Sequence, residues 1–258
     1  MDLFFDLRCG VSGDMLLSAL VDWSMRSTVG KENIKILEEA ASVQSPTRIV
    51  AHTDSRNGIV ARKLHVEWDE LEKRTCSGSE MLGYLEKGME IMDLNDRTRR
   101  LSRRMLMNIL EAEAAVHNEA SIRDVHLHEA GTPDTLVDVL GIAKFCDDLE
   151  VDGYWVKATP VSLGKGVITT AHGIYDIPVP AVRHMLRSVT WRTGPVEGEL
   201  ATPTGMAAVN TLVEIWLQEG EVPGTIPDTW RRVGSGAGSR VYDGGFSNTL
   251  AIYEVGDR

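Results

Sequence analysis

Apolar positions along this chain of 258 residues follow two periods, one of strands and one of helices. Leu3-Phe4-Phe5 is a compact apolar run that reads as a strand, and Arg8 to Gly13 reads as a glycine-bearing turn. Met15-Leu16-Leu17 and Ala19-Leu20 then form the apolar stripe of a helix. A second helix is expected over Glu32 to Val43. Arg48 to Ser55 and Ile59 to Trp68 predict a β-hairpin hinged on Asn57-Gly58, the dipeptide that best tolerates a type I′ turn. Residues 70–80 are polar and predict a loop with Ser77-Gly78-Ser79 at its tip. Helices follow over 79–92 and 96–117, the second capped by Asn95 and Asp96.

Asp124 to His128 predicts a short strand that leads through Gly131 into a further helix. Thr132 is its cap and Pro133 suits its first turn, with Leu136, Val137, Leu140 and Ile142 at helical spacing. Tyr154 to Val161 is a strand, Pro178-Val179-Pro180 a break, and a short helix runs to Arg187. Thr202-Pro203 opens a helix to about Leu217, and strands around Trp230 and Leu250 close the pattern. The expected class is α/β, with α+β as its variant: a mixed β-sheet with flanking helices, one β-hairpin and room for two subdomains.

Composition narrows the function. The 43% hydrophobic and 25% charged content is that of a globular protein, and charges interrupt every apolar run before it could span a bilayer. The opening Met-Asp-Leu-Phe-Phe-Asp-Leu-Arg has no basic start and reads as a strand rather than a signal peptide. A formal charge of −11 argues against nucleic acid as the main partner and is compatible with cation binding, although a solvated acidic surface that keeps the protein soluble is the favoured explanation. Cys9, Cys76 and Cys146 form no CxxC pair, which gives no disulfide framework and suits the reducing cytoplasm. The oligomeric state is open, a homo-oligomer included.

Three constellations carry chemistry. In Val125-His126-Leu127-His128-Glu129-Ala130-Gly131, a strand would turn His126 and His128 to one face, while Asp134 and Asp138 share a helix face. Such nitrogen and oxygen donors, with Glu129, suit nickel, zinc, iron or manganese; the competing reading is two half-buried histidines bonded to Glu129, with Asp134 stabilising a helix N-terminus. In Asp6-Leu7-Arg8-Cys9-Gly10-Val11-Ser12-Gly13-Asp14, the turn could hold a phosphate on Gly10, Ser12 and Gly13, or Asp6 and Asp14 could hold magnesium or another hard cation. It is not a Walker A loop, and the competing reading is a tight turn that needs glycine, with Asp14 favouring the helix dipole. The third set is glycine loops: Gly164-Lys165-Gly166, Thr170-Ala171-His172-Gly173, Thr202-Pro203-Thr204-Gly205 and Gly234 to Arg240. Glycine admits close backbone approach, and Lys165 and Arg240 could pair with phosphate.

Taken together, these segments resemble the LarC family, the nickel insertion proteins for the nickel-pincer nucleotide cofactor of lactate racemase. Phe5-Asp6, Gly10 to Met15, His126 to Gly131 with Asp134 and Asp138, Leu163 to Gly166, Thr170 to Gly173, Pro178 to Ala181, Glu199 to Gly205 and Gly236 to Arg240 occur in family order. The resemblance implies insertion of nickel into a pyridinium mononucleotide bearing two thiocarboxylates, in a reaction that depends on CTP, as by a chelatase. With that role in view, the candidate metal contacts are His126, His128, Glu129, Asp134, Asp138, Asp6 and Asp14, and the candidate ligand contacts Gly10, Ser12, Gly13, Gly164, Lys165, Gly166, His172, Thr202, Thr204, Gly205 and Arg240.

The sequence departs from the family pattern in three ways. The family's C-terminal domain, associated with CTP and divalent magnesium or manganese, lies beyond this sequence, so a separate CTP-binding polypeptide is the expected partner. Residues 69–80 hold no histidine, and Leu7 and Cys9 replace the cysteine and serine of the family's first loop. Two other expectations stand beside the nickel-handling one: a stand-alone magnesium-dependent phosphate-ester or nucleotide enzyme, and a non-catalytic scaffold for cofactor assembly.

Overall fold

The computed structural model describes residues 2–25, 29–69, 75–151, 155–170, 173–242 and 244–256. Strand β1 (Asp2–Asp6) lies inside a mixed seven-stranded sheet. It runs parallel to β6 (Trp155–Ala158) and antiparallel to β15 (Thr249–Val255). Outward from β15 come β14 (Arg231–Ala237), β3 (Ile59–Trp68) and β2 (Thr47–Arg56); outward from β6 comes β13 (Ile215–Trp216). Both faces of β1 are covered, which is why it reads as an unbroken apolar run. Leu3 and Phe5 join the main core under the helices, and Phe4 packs from the other face onto Trp230, with ring centroids 4.7 Å apart. The mixed sheet with flanking helices is the architecture expected from the pattern.

The hairpin of β2 and β3 turns on Asn57 (φ 50°) and Gly58 (φ 80°), the left-handed pair that an Asn-Gly turn requires. Helix α1 (Gly13–Ser24) lies on β14 and β3 and against α5 (Pro133–Asp148). The run from Gly234 to Ala237 proves to be strand rather than ligand loop. A Cβ on Gly236 would stand 1.9 Å from the Met15 carbonyl oxygen, and one on Gly234 would stand 2.1 Å from that of Ala19. Those glycines let α1 sit down on the sheet.

Helices α2 (Val29–Ala41), α3 (Gly78–Ile91) and α4 (Asp96–His117) fall close to their expected spans. Ser77 opens α3 with a capping box to Glu80, so the expected loop tip is a helix start. Asn95 caps α4 by accepting from the backbone of Arg97 and Thr98. Helix α7 (Pro203–Leu212) stops short of Leu217, because Ile215–Trp216 adds to the sheet edge beside β6. Thr132 stands at the N-cap of α5, but its hydroxyl makes no capping bond.

Candidate functional site

The first loop is fastened to the start of α7 by backbone bonds. Val11 donates to Leu200 O at 2.8 Å, and Thr202 donates back to Val11 O at 3.0 Å. Gly10 has φ +93° and would place a Cβ 2.1 Å from Leu200 O, so only glycine fits this crossing. Asp14 joins a third segment to the pair: its Oδ2 accepts from Ser239 N at 3.0 Å and Ser239 Oγ at 2.7 Å, while its Oδ1 accepts from Ser12 Oγ. Arg56 steadies the same segment by donating to Gly238 O and Arg240 O.

These segments wall a cavity of about 510 Å³. The starts of three helices open onto it: Ser12 and Asp14 of α1, Thr132 and Asp134 of α5, and Thr202 and Thr204 of α7. Glu113 and His117, from the last turns of α4, line another part of the wall, with His128 and Glu129 from the stretch that precedes α5. Each helix start carries partial positive charge and the end of α4 partial negative charge, so the cavity is polarised. Among the described residues it is lined by six carboxylates (Asp14, Glu113, Glu129, Asp134, Asp138, Glu199) and three histidines (His65, His117, His128), against one arginine, Arg240. A two-stranded flap of β9 (Val167–Thr170) and β10 (Gly173–Asp176) contributes Ile168, Thr170 and Tyr175.

Burial sets the protonation of several of these groups. Desolvation pushes the Asp138 carboxyl well above the usual range, and Asp14 and Asp134 push it further, against a hydrogen bond from Thr204. Asp134 is raised by burial and restrained by the Trp68 indole, whose Nε1 donates to Oδ2 at 2.6 Å. Glu199 is raised by burial although Arg240 Nη2 stands 3.1 Å away. Glu113 is pushed up to about 7, by burial first and by Glu129 second.

Of the residues singled out from the sequence, Ser12, Asp14, His128, Glu129, Asp134, Asp138, Thr202, Thr204 and Arg240 meet at this cavity. Gly13 and Gly205 pack directly behind it, Gly13 against Asp138 and Gly205 against Val11. His126 does not share the wall with His128. The strand is only His126–Leu127, paired with Cys76–Ser77 (β5 with β4), and the chain bends at His128, which ends the period-two alternation. His126 is exposed and its charged neighbour is Glu80.

Asp6 is not brought to Asp14: Arg8 holds it, with Nη2 2.6 Å from Oδ2. Gly164 and Lys165 form β8 and pair with β12 (Gly198–Glu199), and Lys165 Nζ lies 4.0 Å from Glu197, outside the cavity lining. Gly166 follows with φ +88°, against Glu197. His172 lies outside the described residues. Glu113, His65, His117 and Glu199, which no sequence motif marks as site residues, also line the cavity. His117 Nε2 stands 3.6 Å from Glu113 Oε2, and the His117 and His128 ring centroids are 6.5 Å apart. Among the described residues no three His, Cys, Asp or Glu side chains already enclose a metal position.

The family model described as Nickel insertion protein matches residues 3–256. This chain belongs to that family. Among its curated relatives, a pyridinium-3,5-bisthiocarboxylic acid mononucleotide nickel insertion protein of Clostridium kluyveri is 32% identical over 264 aligned positions, which take in 97% of this chain and 61% of the relative. Proteins of the same description from Acetivibrio thermocellus and a Nocardioides species are 35% and 34% identical, with 92% and 96% of this chain and 56% and 58% of theirs covered. The chain thus spans rather more than half the length of the nickel insertion proteins it matches. No solved structure matches it. Among the described residues no helix is long and apolar enough to cross a membrane.

Proposed function

We propose that this chain is the N-terminal, nickel-handling module of a nickel insertion protein, and that its cavity brings the ion to a pyridinium-3,5-bisthiocarboxylic acid mononucleotide. The observation that carries this reading is the polarity of the cavity, with imidazoles and carboxylates at the end of α4 and helix starts with Arg240 elsewhere on the wall. Imidazole and carboxylate donors hold a divalent ion at intermediate strength, and the softer sulfur of a thiocarboxylate then takes it over. Arg240 and the threonines of α7 serve the anionic end of the mononucleotide. CTP, with magnesium or manganese, enters through a separate C-terminal polypeptide or domain, and the module works in the cytoplasm, where Cys9, Cys76 and Cys146 stay reduced.

The test mixes this chain, nickel and the dithiocarboxylated mononucleotide, with and without CTP and a polypeptide supplying the remaining part of a relative. Absorbance and mass follow the nickel-loaded product. Nickel binding without turnover by the chain alone, and transfer once the partner is added, is the expected result. Absence of nickel binding by the chain would overturn the reading.

A further inference from the structure

The six carboxylates of the cavity are not equally placed to hold a cation. Asp14 is occupied by four donors: Ser12 Oγ, Met15 N, Ser239 N and Ser239 Oγ. Asp138 is sealed between Gly13 and Thr204, at 8% exposure. Asp134 is held by the Trp68 indole, and Glu199 by Arg240. Glu113 and Glu129 remain. Glu113 accepts no hydrogen bond among the described residues, although its side chain is only 18% exposed; its nearest charged partner is His117, four residues on and one helical turn away. A buried carboxylate that no hydrogen bond satisfies is either neutralised by a proton or paired with a cation.

His117 sits at the end of α4, where the helix dipole favours positive charge. Across from it stands His128, and Glu129 is close enough to act electrostatically on Glu113. Two imidazoles on one ion, with metal–nitrogen bonds of about 2.0–2.1 Å, bring their centroids to roughly 4.5–6 Å. The observed separation of 6.5 Å is longer than that range, so binding would have to draw the two rings together. We infer that Glu113, His117 and His128, with Glu129 at the rim, are the ligands that carry the nickel ion in this cavity, and that His126 takes no part. The inference rests on the reading of the cavity as a nickel site and names the side chains that make it one. The set is two nitrogens and one or two carboxylates, with no thiolate, and it leaves positions open for the incoming sulfur donors of the mononucleotide.

The experiment titrates nickel calorimetrically into the whole chain and follows cobalt(II) substitution by its d–d absorption, in wild type and in Glu113→Gln, His117→Gln and His126→Ala. Circular dichroism melts check that each variant is folded; the first two side chains line a cavity wall and keep their size. Expected is a loss of nickel affinity of at least tenfold in both Glu113→Gln and His117→Gln, a changed cobalt spectrum in His117→Gln, and wild-type behaviour in His126→Ala. Tight nickel binding by wild type that neither Glu113→Gln nor His117→Gln weakens would overturn this ligand set while leaving the nickel reading intact. Wild type that binds no nickel would overturn both.

Discussion

Replacing Gly13 by alanine tests the contact that builds the floor of the cavity. The added Cβ would stand 2.0 Å from Asp138 Oδ2, 2.3 Å from its Cγ and 2.7 Å from Thr204 Oγ1. Asp138 is buried in the middle of α5 and cannot swing away, and Thr204 is fixed in the first turn of α7. Overpacking of this kind costs about 1–3 kcal/mol, and contact with two rigid elements at once places the cost at about 3. The better helix propensity of alanine recovers less than about 1 kcal/mol. Asp138→Ala removes the obstacle, and its own effect, the lost Thr204 hydrogen bond set against relief from burying a carboxyl whose folded pKa is raised, is read directly as one corner of the cycle.

In the double variant the new methyl group occupies the vacated space, so its stability should match that of Asp138→Ala alone. The coupling between the two sites is then about 2–3 kcal/mol in favour of the double variant, far outside the error expected of independent sites. Urea unfolding at pH 7, followed by circular dichroism with the slope of each transition compared, measures all four corners of the cycle. A single Gly13→Ala variant as stable as wild type, or strictly additive effects, would refute the packing of α1, α5 and α7 around Asp138.

Two further outcomes follow from the site. The folded-state pKa of Asp138 lies well above its unfolded value, so its contribution is complete below about pH 3.9 and is lost as pH rises through the folded value. Thermal melts of Asp138→Asn between pH 5 and 8 should therefore fall less steeply than those of wild type; parallel curves would contradict the burial. Trp68→Phe removes the indole donor of Asp134 and should cost about 1.5–3 kcal/mol where that carboxylate is ionised, less in acid, by urea unfolding at pH 8 and pH 5.

Elements with local signals were legible in the sequence. Asn57-Gly58 fixed a hairpin because its left-handed geometry is written in two residues, and Asn95 fixed the start of α4 for the same reason. Asp14, Asp134, Thr202 and Arg240 were singled out because each sits beside a turn or helix start that glycine, proline or threonine marks, and His128 because it was read on one strand with His126; all five line the cavity. Contacts between distant segments left no such trace. Glu113 and His117 fall in an expected helix with no turn or cap to mark them, and only their i, i+4 spacing at its C-terminal end points to a shared face. His126 and His128 looked like partners because a five-residue strand was assumed, whereas the edge offered by Cys76–Ser77 is two residues long. The glycines of β14 looked like a ligand loop because a sequence does not reveal that a helix lies across them.

The three helix starts at the cavity differ in what they leave for a ligand. Asp14 occupies the first turn of α1 and Asp134 that of α5, so each dipole already faces a carboxylate of the protein. Helix α7 has no acidic residue in its first turn, and Thr202 satisfies only the Gly205 N–H. Arg240 stands on the same wall, with half of its side chain in solvent despite its pairing with Glu199. On the proposed reading, the anionic end of the mononucleotide therefore belongs at α7 and Arg240 rather than at the glycine turn before α1. Its sulfur-bearing ring then extends toward the end of α4, where Glu113, His117 and His128 hold the ion. An acidic cavity accepts an anion in this arrangement because burial keeps Asp134, Asp138 and Glu199 toward their neutral forms, which lowers the repulsion that six carboxylates would otherwise exert.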